Sequence, residues 1–125
     1  MTRAARPQAH TRGRAGEGRA ALWLRLKGYR ILARDWRSPV GEVDIVAWRG
    51  GTLVLVEVKA RPTLAEAAAD LRPRQRARIA RAAEAFRQRR PELADAAVRF
   101  DAVLVAPWRR PRHIIGAWRG AGDPA

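Results

Sequence analysis

Residues 43–59, VDIVAWRGGTLVLVEVK, are the stretch that most restricts how this chain can fold. Residues 43–49 alternate in part between two faces, Gly50-Gly51 supplies the flexible pair that a tight turn wants, and residues 52–59 are rich in β-branched side chains. Together they read as a β-hairpin. With the two glycines as the turn, Arg49 faces Thr52, Trp48 faces Leu53, Val46 faces Leu55, and Asp44 faces Glu57. Directly opposed residues on antiparallel strands have Cβ atoms about 4.5–5.5 Å apart on one face of the sheet. Lys59, two residues past Glu57, looks out on that same face.

Like charges set directly opposite each other are destabilising unless something neutralises them. Two carboxylates and a lysine on an otherwise apolar face therefore form a candidate metal site. An oxygen-preferring ion such as Mg²⁺ takes one or two carboxylates and completes its shell with water and substrate phosphate, without cysteine or histidine. The chain has no cysteine, which excludes disulfides, thiolate metal sites and a cysteine nucleophile.

Length and charge bound the rest. At 125 residues and 47% hydrophobic content there is material for one domain around one core. The apolar runs fall short of the 18 or so residues of a spanning helix, and the N-terminal MTRAARPQAHTRGRAGEG has no signal-peptide core, so a soluble cytoplasmic protein with no membrane partner is the expectation. With 26 basic against 12 acidic residues the net charge is +14. Such a surface attracts polyanions, nucleic acid above all, and that reading is favoured; in a chain so rich in Ala, Arg, Gly and Pro, arginine as a plain solubilising residue is its competitor. Lys27 and Lys59 are the only lysines.

Residues 1–13 read as a basic disordered arm, residues 14–118 as a single domain, and residues 119–125 as a frayed tail. A helix is expected from about Arg14 to Lys27, with Ala20, Ala21, Trp23 and Leu24 on its apolar side and Gly28 as its stop. Glu17 falls toward the buried side, either as a solvated helix-dipole glutamate or as an acid reaching the hairpin face. Residues 29–37 form a first strand, and residues 38–41 a turn. Glu42 beyond it reads more readily as a solvated turn residue than as part of the face that carries Asp44. Apolar on both sides, residues 52–59 should be a central strand covered by helices. Residues 63–70 are a short helix or a loop. A second long helix starts near Pro73 and runs to about Arg90, with Ile79, Ala82, Ala83 and Phe86 as its stripe. Its Arg74, Arg76 and Arg78 are candidate phosphate contacts; Gln75 reads as a surface residue or as one approaching the metal face. Residues 97–106 are another strand, whose Asp101 is expected to be structural, because a buried charge needs a partner. A basic turn with Arg109, Arg110 and Arg112 leads to a short last strand from His113 to Trp118, and His113 itself reads as packing or surface. The order implies an α/β mixed sheet with at least one helix on each face.

Four stretches, AGEGRAALWLRLKGYRIL at 15–32, GEVDIVA at 41–47, VEVKAR at 56–61 and RFDAV at 99–103, occur in an order that resembles the YraN family of small bacterial proteins, regarded as endonucleases. That family is similar to archaeal Holliday junction resolvases and to the wider restriction-endonuclease-like fold. The resemblance implies a mixed central sheet flanked by helices and metal-dependent cleavage of DNA, structured or branched DNA included, with RNA as an open alternative. It implies Asp44 and Glu57 as ligands of Mg²⁺ or Mn²⁺, Lys59 as the group assisting the attacking water or the charged transition state, and Glu17 as a further acid of the site. Gln75 departs from the family pattern, which commonly has lysine there. Junction resolvases usually act as symmetric pairs, which raises a homodimer as an option. A nucleic-acid-binding protein that keeps the fold without cleaving is the alternative reading.

Overall fold

The structure is a computed structural model; it describes residues 7–71 and 73–118, leaving the side chains of residues 7–14 and 73–76 aside. Helix α1 spans Pro7–Leu26, and strands β1, β2 and β3 span Arg30–Ser38, Gly41–Arg49 and Thr52–Ala60. Helices α2 (Leu64–Ala69) and α3 (Pro73–Gln88) and a 3₁₀ turn (Pro91–Leu93) follow, then strands β4 (Ala97–Val105) and β5 (Arg112–Trp118).

Each boundary has a local cause. Gly28, at φ +93°, ends α1: its N–H donates to the Arg25 carbonyl at 3.0 Å and the Tyr29 N–H to the Leu24 carbonyl at 2.9 Å. This paired capping satisfies carbonyls that the helix leaves open. Gly50 and Gly51 both have positive φ, as the two-residue hairpin turn requires. Thr63 caps α2 by accepting from the Glu66 N–H, so of the two readings of residues 63–70 the short helix holds, over Leu64–Ala69. Two boundaries differ from expectation. α1 starts at Pro7, ahead of Arg14 and inside the stretch read as an arm, whose residues 1–6 lie outside the described ones. α3 stops at Gln88, ahead of Arg90.

The five strands form one open sheet in the order β1-β2-β3-β4-β5. β1, β2 and β3 run as an antiparallel meander, β3 and β4 are parallel, joined through α2 and α3, and β5 returns antiparallel to β4. β3 is the central strand, and both its faces are buried. Leu53 and Leu55 pack against Ile79, Ala82, Ala83 and Phe86 of α3. Val54 and Val56 pack on the other face against Ala20, Ala21 and Leu24 of α1. Each helix thus covers one side of a mixed open sheet, which is the restriction-endonuclease-like arrangement.

The helices approach the sheet at glycines. A methyl on Gly16 would lie 2.5 Å from the Ala60 Cβ, so α1 crosses the end of β3 where neither side has bulk to spare. A methyl on Gly41 would meet the Arg78 carbonyl, so the start of β2 lies tight against α3.

A candidate active site where the hairpin ladder ends

The observed hairpin register is Arg49↔Thr52, Trp48↔Leu53, Ala47↔Val54, Val46↔Leu55 and Ile45↔Val56, and there the paired positions stop. The next residues along are Asp44 and Glu57. Instead of continuing the ladder, Asp44 turns its carboxylate inward, and Oδ2 accepts the Val58 N–H at 2.7 Å. A side chain has replaced a backbone carbonyl as the partner of that amide.

The cause lies in β2 itself. Ile45 and Ala47 belong to the core under α1, while Val43 packs with Val46 in the core under α3. Strict alternation would have placed Val43 with Ile45 and Ala47, so the strand turns over at Asp44. Across from it in β1, between the pairs Arg34↔Ile45 and Trp36↔Val43, Asp35 has a φ of +49°. That left-handed conformation is uncommon outside glycine, and aspartate is among the few residues that tolerate it.

The opening holds a cavity of about 170 Å³ lined by Glu42, Val43, Asp44, Glu57, Val58, Lys59, Arg78 and Ile79. Glu57 is 5% exposed and its Oε1 lies 3.3 Å from the Lys59 ammonium. Three carboxylates against two cations give this cavity a negative balance inside a protein of charge +14. Burial, with some help from Asp35 and Glu42, pushes the Asp44 carboxyl above its ordinary range; the Val58 amide and Lys59 offset this only in part. Asp44 and Glu57 supply the oxygen donors that a hard divalent cation prefers, and the chemistry of this donor set fits Mg²⁺ or Mn²⁺. Among the described residues, no group of three or more His, Cys, Asp or Glu side chains gathers as a metal-binding cluster.

The other sequence candidates fall into separate groups. Glu17 stands mid-helix rather than in the first turn, so a helix-dipole role does not apply. It pairs with Arg34 at 3.4 Å, and burial, followed by the negative charge of Asp44, pushes its carboxyl up. Glu17 therefore senses the site electrostatically from the α1 side. Glu42 belongs to β2 rather than to the turn; its side chain stays solvated, 44% exposed, while it borders the cavity and takes a 2.7 Å ion pair from Arg78. The side chains of Arg74, Gln75 and Arg76 lie outside the described residues, whereas Arg109, Arg110 and Arg112 are exposed.

Asp101 is fully buried in a network of its own. It accepts from Arg99 Nε and a terminal guanidinium nitrogen, both at 2.9 Å, from the Gly116 N–H at 2.9 Å, and from His113 Nε2 at 2.7 Å. The Lys27 ammonium lies 2.6 Å from His113 Nδ1. An ammonium has no lone pair, so Nδ1 must accept and Nε2 carries the proton given to Asp101. The expected structural role of Asp101 thus has its partners, and His113 is a packed residue. Sequence reading did not single out Arg34 or the Lys27 contact, because Arg34 meets Glu17 of a helix and Lys27 meets His113 from the far end of the chain, and neither leaves a spacing signal; Arg99, two residues before Asp101 on the same strand, was within reach of strand alternation.

An open mixed sheet with a helix on each face, carrying acidic and lysine side chains where its central hairpin comes apart, defines a restriction-endonuclease-like α/β protein. The chain belongs to the uncharacterised protein family UPF0102, whose profile matches residues 16–105. A UPF0102 protein of Paramagnetospirillum magneticum is 61% identical over 115 residues, covering 89% of each chain. One from Maricaulis maris is 52% identical over 118 residues, 94% of this chain and 92% of its own, and one from Rhodopseudomonas palustris 52% identical over 106 residues, 85% and 82%. No described helix is long and apolar enough to cross a membrane.

Proposed function

We propose that this protein is a metal-dependent endonuclease that hydrolyses phosphodiester bonds in DNA, structured or branched DNA included. The observation that carries the reading is that Asp44 and Glu57, from two strands, line one small cavity together with Lys59.

Asp44 and Glu57 would hold Mg²⁺ or Mn²⁺. Bound there, the cation supplies Lewis acidity at a phosphate oxygen and a more acidic water. The remaining work belongs to the chain. The Val58 amide holds the Asp44 carboxylate in place, so its position is fixed before substrate arrives. Lys59 keeps a compact positive charge beside Glu57, suited to donate to the attacking water or to a nonbridging phosphate oxygen. Arg78, paired with Glu42 at the cavity, is available to exchange that carboxylate for a phosphate. Exposed arginines of the β4–β5 turn would hold the backbone with little base preference.

The alternative is a nucleic-acid-binding protein that keeps the fold without cleaving, for which the +14 charge suffices without any cation. A panel of linear, nicked, flapped and four-way DNA, with RNA alongside, separates the two readings. Incubated with Mg²⁺ or Mn²⁺, wild type should cleave, whereas Asp44→Asn, Glu57→Gln and Lys59→Ala should bind and not cleave. A wild type that binds without a metal-dependent product supports the alternative, and equal cleavage by all four proteins sinks the assigned site.

A further inference from the structure

The β4–β5 turn reads Pro-Trp-Arg-Arg-Pro-Arg at residues 107–112, and Trp108 in it is fully exposed. Of the other tryptophans, Trp118 is buried and Trp23, Trp36 and Trp48 are half-buried. Leaving a whole indole in water forgoes its burial free energy. Trp108 also has a φ of +62°, a backbone region that suits glycine and penalises a bulky side chain. Neither core packing nor turn geometry accounts for tryptophan here.

The turn is nevertheless held firmly. The Arg19 guanidinium of α1 donates to the Ala106 carbonyl at 3.0 Å and to the Arg109 carbonyl at 2.6 Å, bracketing Trp108 from both sides. Pro107 and Pro111 restrict the chain further. Arg19, Pro107, Trp108, Arg109, Arg110 and Pro111 line one open depression of about 590 Å³. An aromatic plate on a stiff basic turn loses little freedom on binding.

Its place in the fold favours one ligand. Lys59 pairs with Leu104 in the parallel ladder, and the Arg61 N–H donates to the Val105 carbonyl at 3.0 Å. The turn therefore leaves the same end of the sheet as the Asp44–Glu57–Lys59 cavity. Trp108 is four residue steps beyond Leu104, and a neighbouring strand adds one strand spacing, so the Cα atoms of Lys59 and Trp108 lie no more than ~19 Å apart. The depression lies on the α1 side and the cavity on the α3 side, so a strand that reaches both must pass around this end of the sheet.

We infer that Trp108 is a base-stacking residue that receives an unpaired nucleobase, with Arg109, Arg110 and Arg112 along the adjoining phosphates. Every base has a π-face, so such a plate selects unpaired strand over duplex without reading sequence. The inference rests on the nucleic-acid reading above and adds a substrate class to it: strands with an unpaired segment next to the point of cleavage. Trp108 lies beyond residues 16–105, the span that the family profile covers.

The test is equilibrium binding in EDTA, so that no cleavage enters, to single-stranded, flapped and fully paired oligonucleotides and to phosphatidylglycerol/phosphatidylethanolamine vesicles. Trp108→Ala should lose about tenfold or more in affinity for the single-stranded and flapped ligands and little for duplex, and Trp108→Phe should keep most of it. Trp108→Gly should lose binding equally while its Tm stays level or rises, because glycine relieves the positive φ. Equal affinity of wild type and Trp108→Ala for single strands, an equal loss on duplex, or a loss confined to vesicles would overturn the inference. Those results leave the nuclease reading standing, since that reading falls on the Asp44→Asn cleavage result, which this assay does not involve.

Discussion

Asp101 and Asp44 are both carboxylates held by a neighbouring backbone amide, and their surroundings push them in opposite directions. For Asp101, burial alone would raise the carboxyl, but His113, Arg99 and the Gly116 amide together bring it down to about 2. Its folded pKa is thus below its ordinary one, so the unfolded chain binds the extra proton. The stabilisation is full above about pH 4 and is lost as the pH falls through about 2. Thermal unfolding followed from neutral to acid pH should show that limb in wild type, and Asp101→Asn should flatten it while costing about 3–5 kcal/mol at neutral pH by leaving Arg99 without its counter-charge. At Asp44 burial dominates and the carboxylate is held at a cost. Asp44→Asn keeps an acceptor for the Val58 amide and removes the charge. In EDTA its Tm should exceed that of wild type, by on the order of 1 kcal/mol in stability, as expected where a site is kept for function at the expense of stability. A lower Tm for Asp44→Asn would show that the charge itself holds the strand end together. The grouping of Asp44, Glu57 and Lys59 at one cavity was legible in the sequence through hairpin register, although the Asp44–Glu57 pair itself falls past the last ladder pair; the sources of the Asp44 perturbation were not, because Asp35 lies on another strand and burial depends on how the elements pack.

The elements follow the residues closely where the signal is local. Gly50-Gly51 and the β-branched run fixed a hairpin whose five observed pairs match the expected register as far as Ile45↔Val56. Ile79, Ala82, Ala83 and Phe86 are the buried stripe of α3, as their spacing implied. Two features were beyond period counting. Strand β2 turns over at Asp44, where alternation alone would have run on, and α1 begins at Pro7 although the first residues after it carry little apolar pattern. How closely α1 approaches the sheet was also not legible, since it depends on Gly16 meeting Ala60 across the interface. A methyl exchange tests that contact. Gly16→Ala should destabilise, because the two Cβ atoms would be forced to 2.5 Å, and Ala60→Gly should be mildly destabilising on its own. The double variant should recover most of the Gly16→Ala loss, giving a coupling of about 1 kcal/mol or more in denaturant melts. Additive losses would mean that α1 simply shifts outward.

For the molecule as a whole, a charge of +14 surrounds a cavity in which carboxylates outnumber cations. The outer charge should dominate DNA affinity. If six or more phosphates are met, affinity should fall by roughly three orders of magnitude between about 50 and 200 mM salt, and Arg109→Ala or Arg110→Ala should each lower the log–log slope by about one. A flat salt response would remove the arginine surface from the binding account. Composition alone indicated this outer charge; the inner acidic cavity came from the hairpin register. The central claim is that Asp44 and Glu57 act together on one cation, and electron paramagnetic resonance of Mn²⁺ in the presence of an uncleavable phosphorothioate DNA reads it directly. Wild type should bind Mn²⁺ with the DNA in place, and Asp44→Asn and Glu57→Gln should each abolish that binding while still holding the DNA. Mn²⁺ bound equally by wild type and both variants, or by none of them, would contradict the claim.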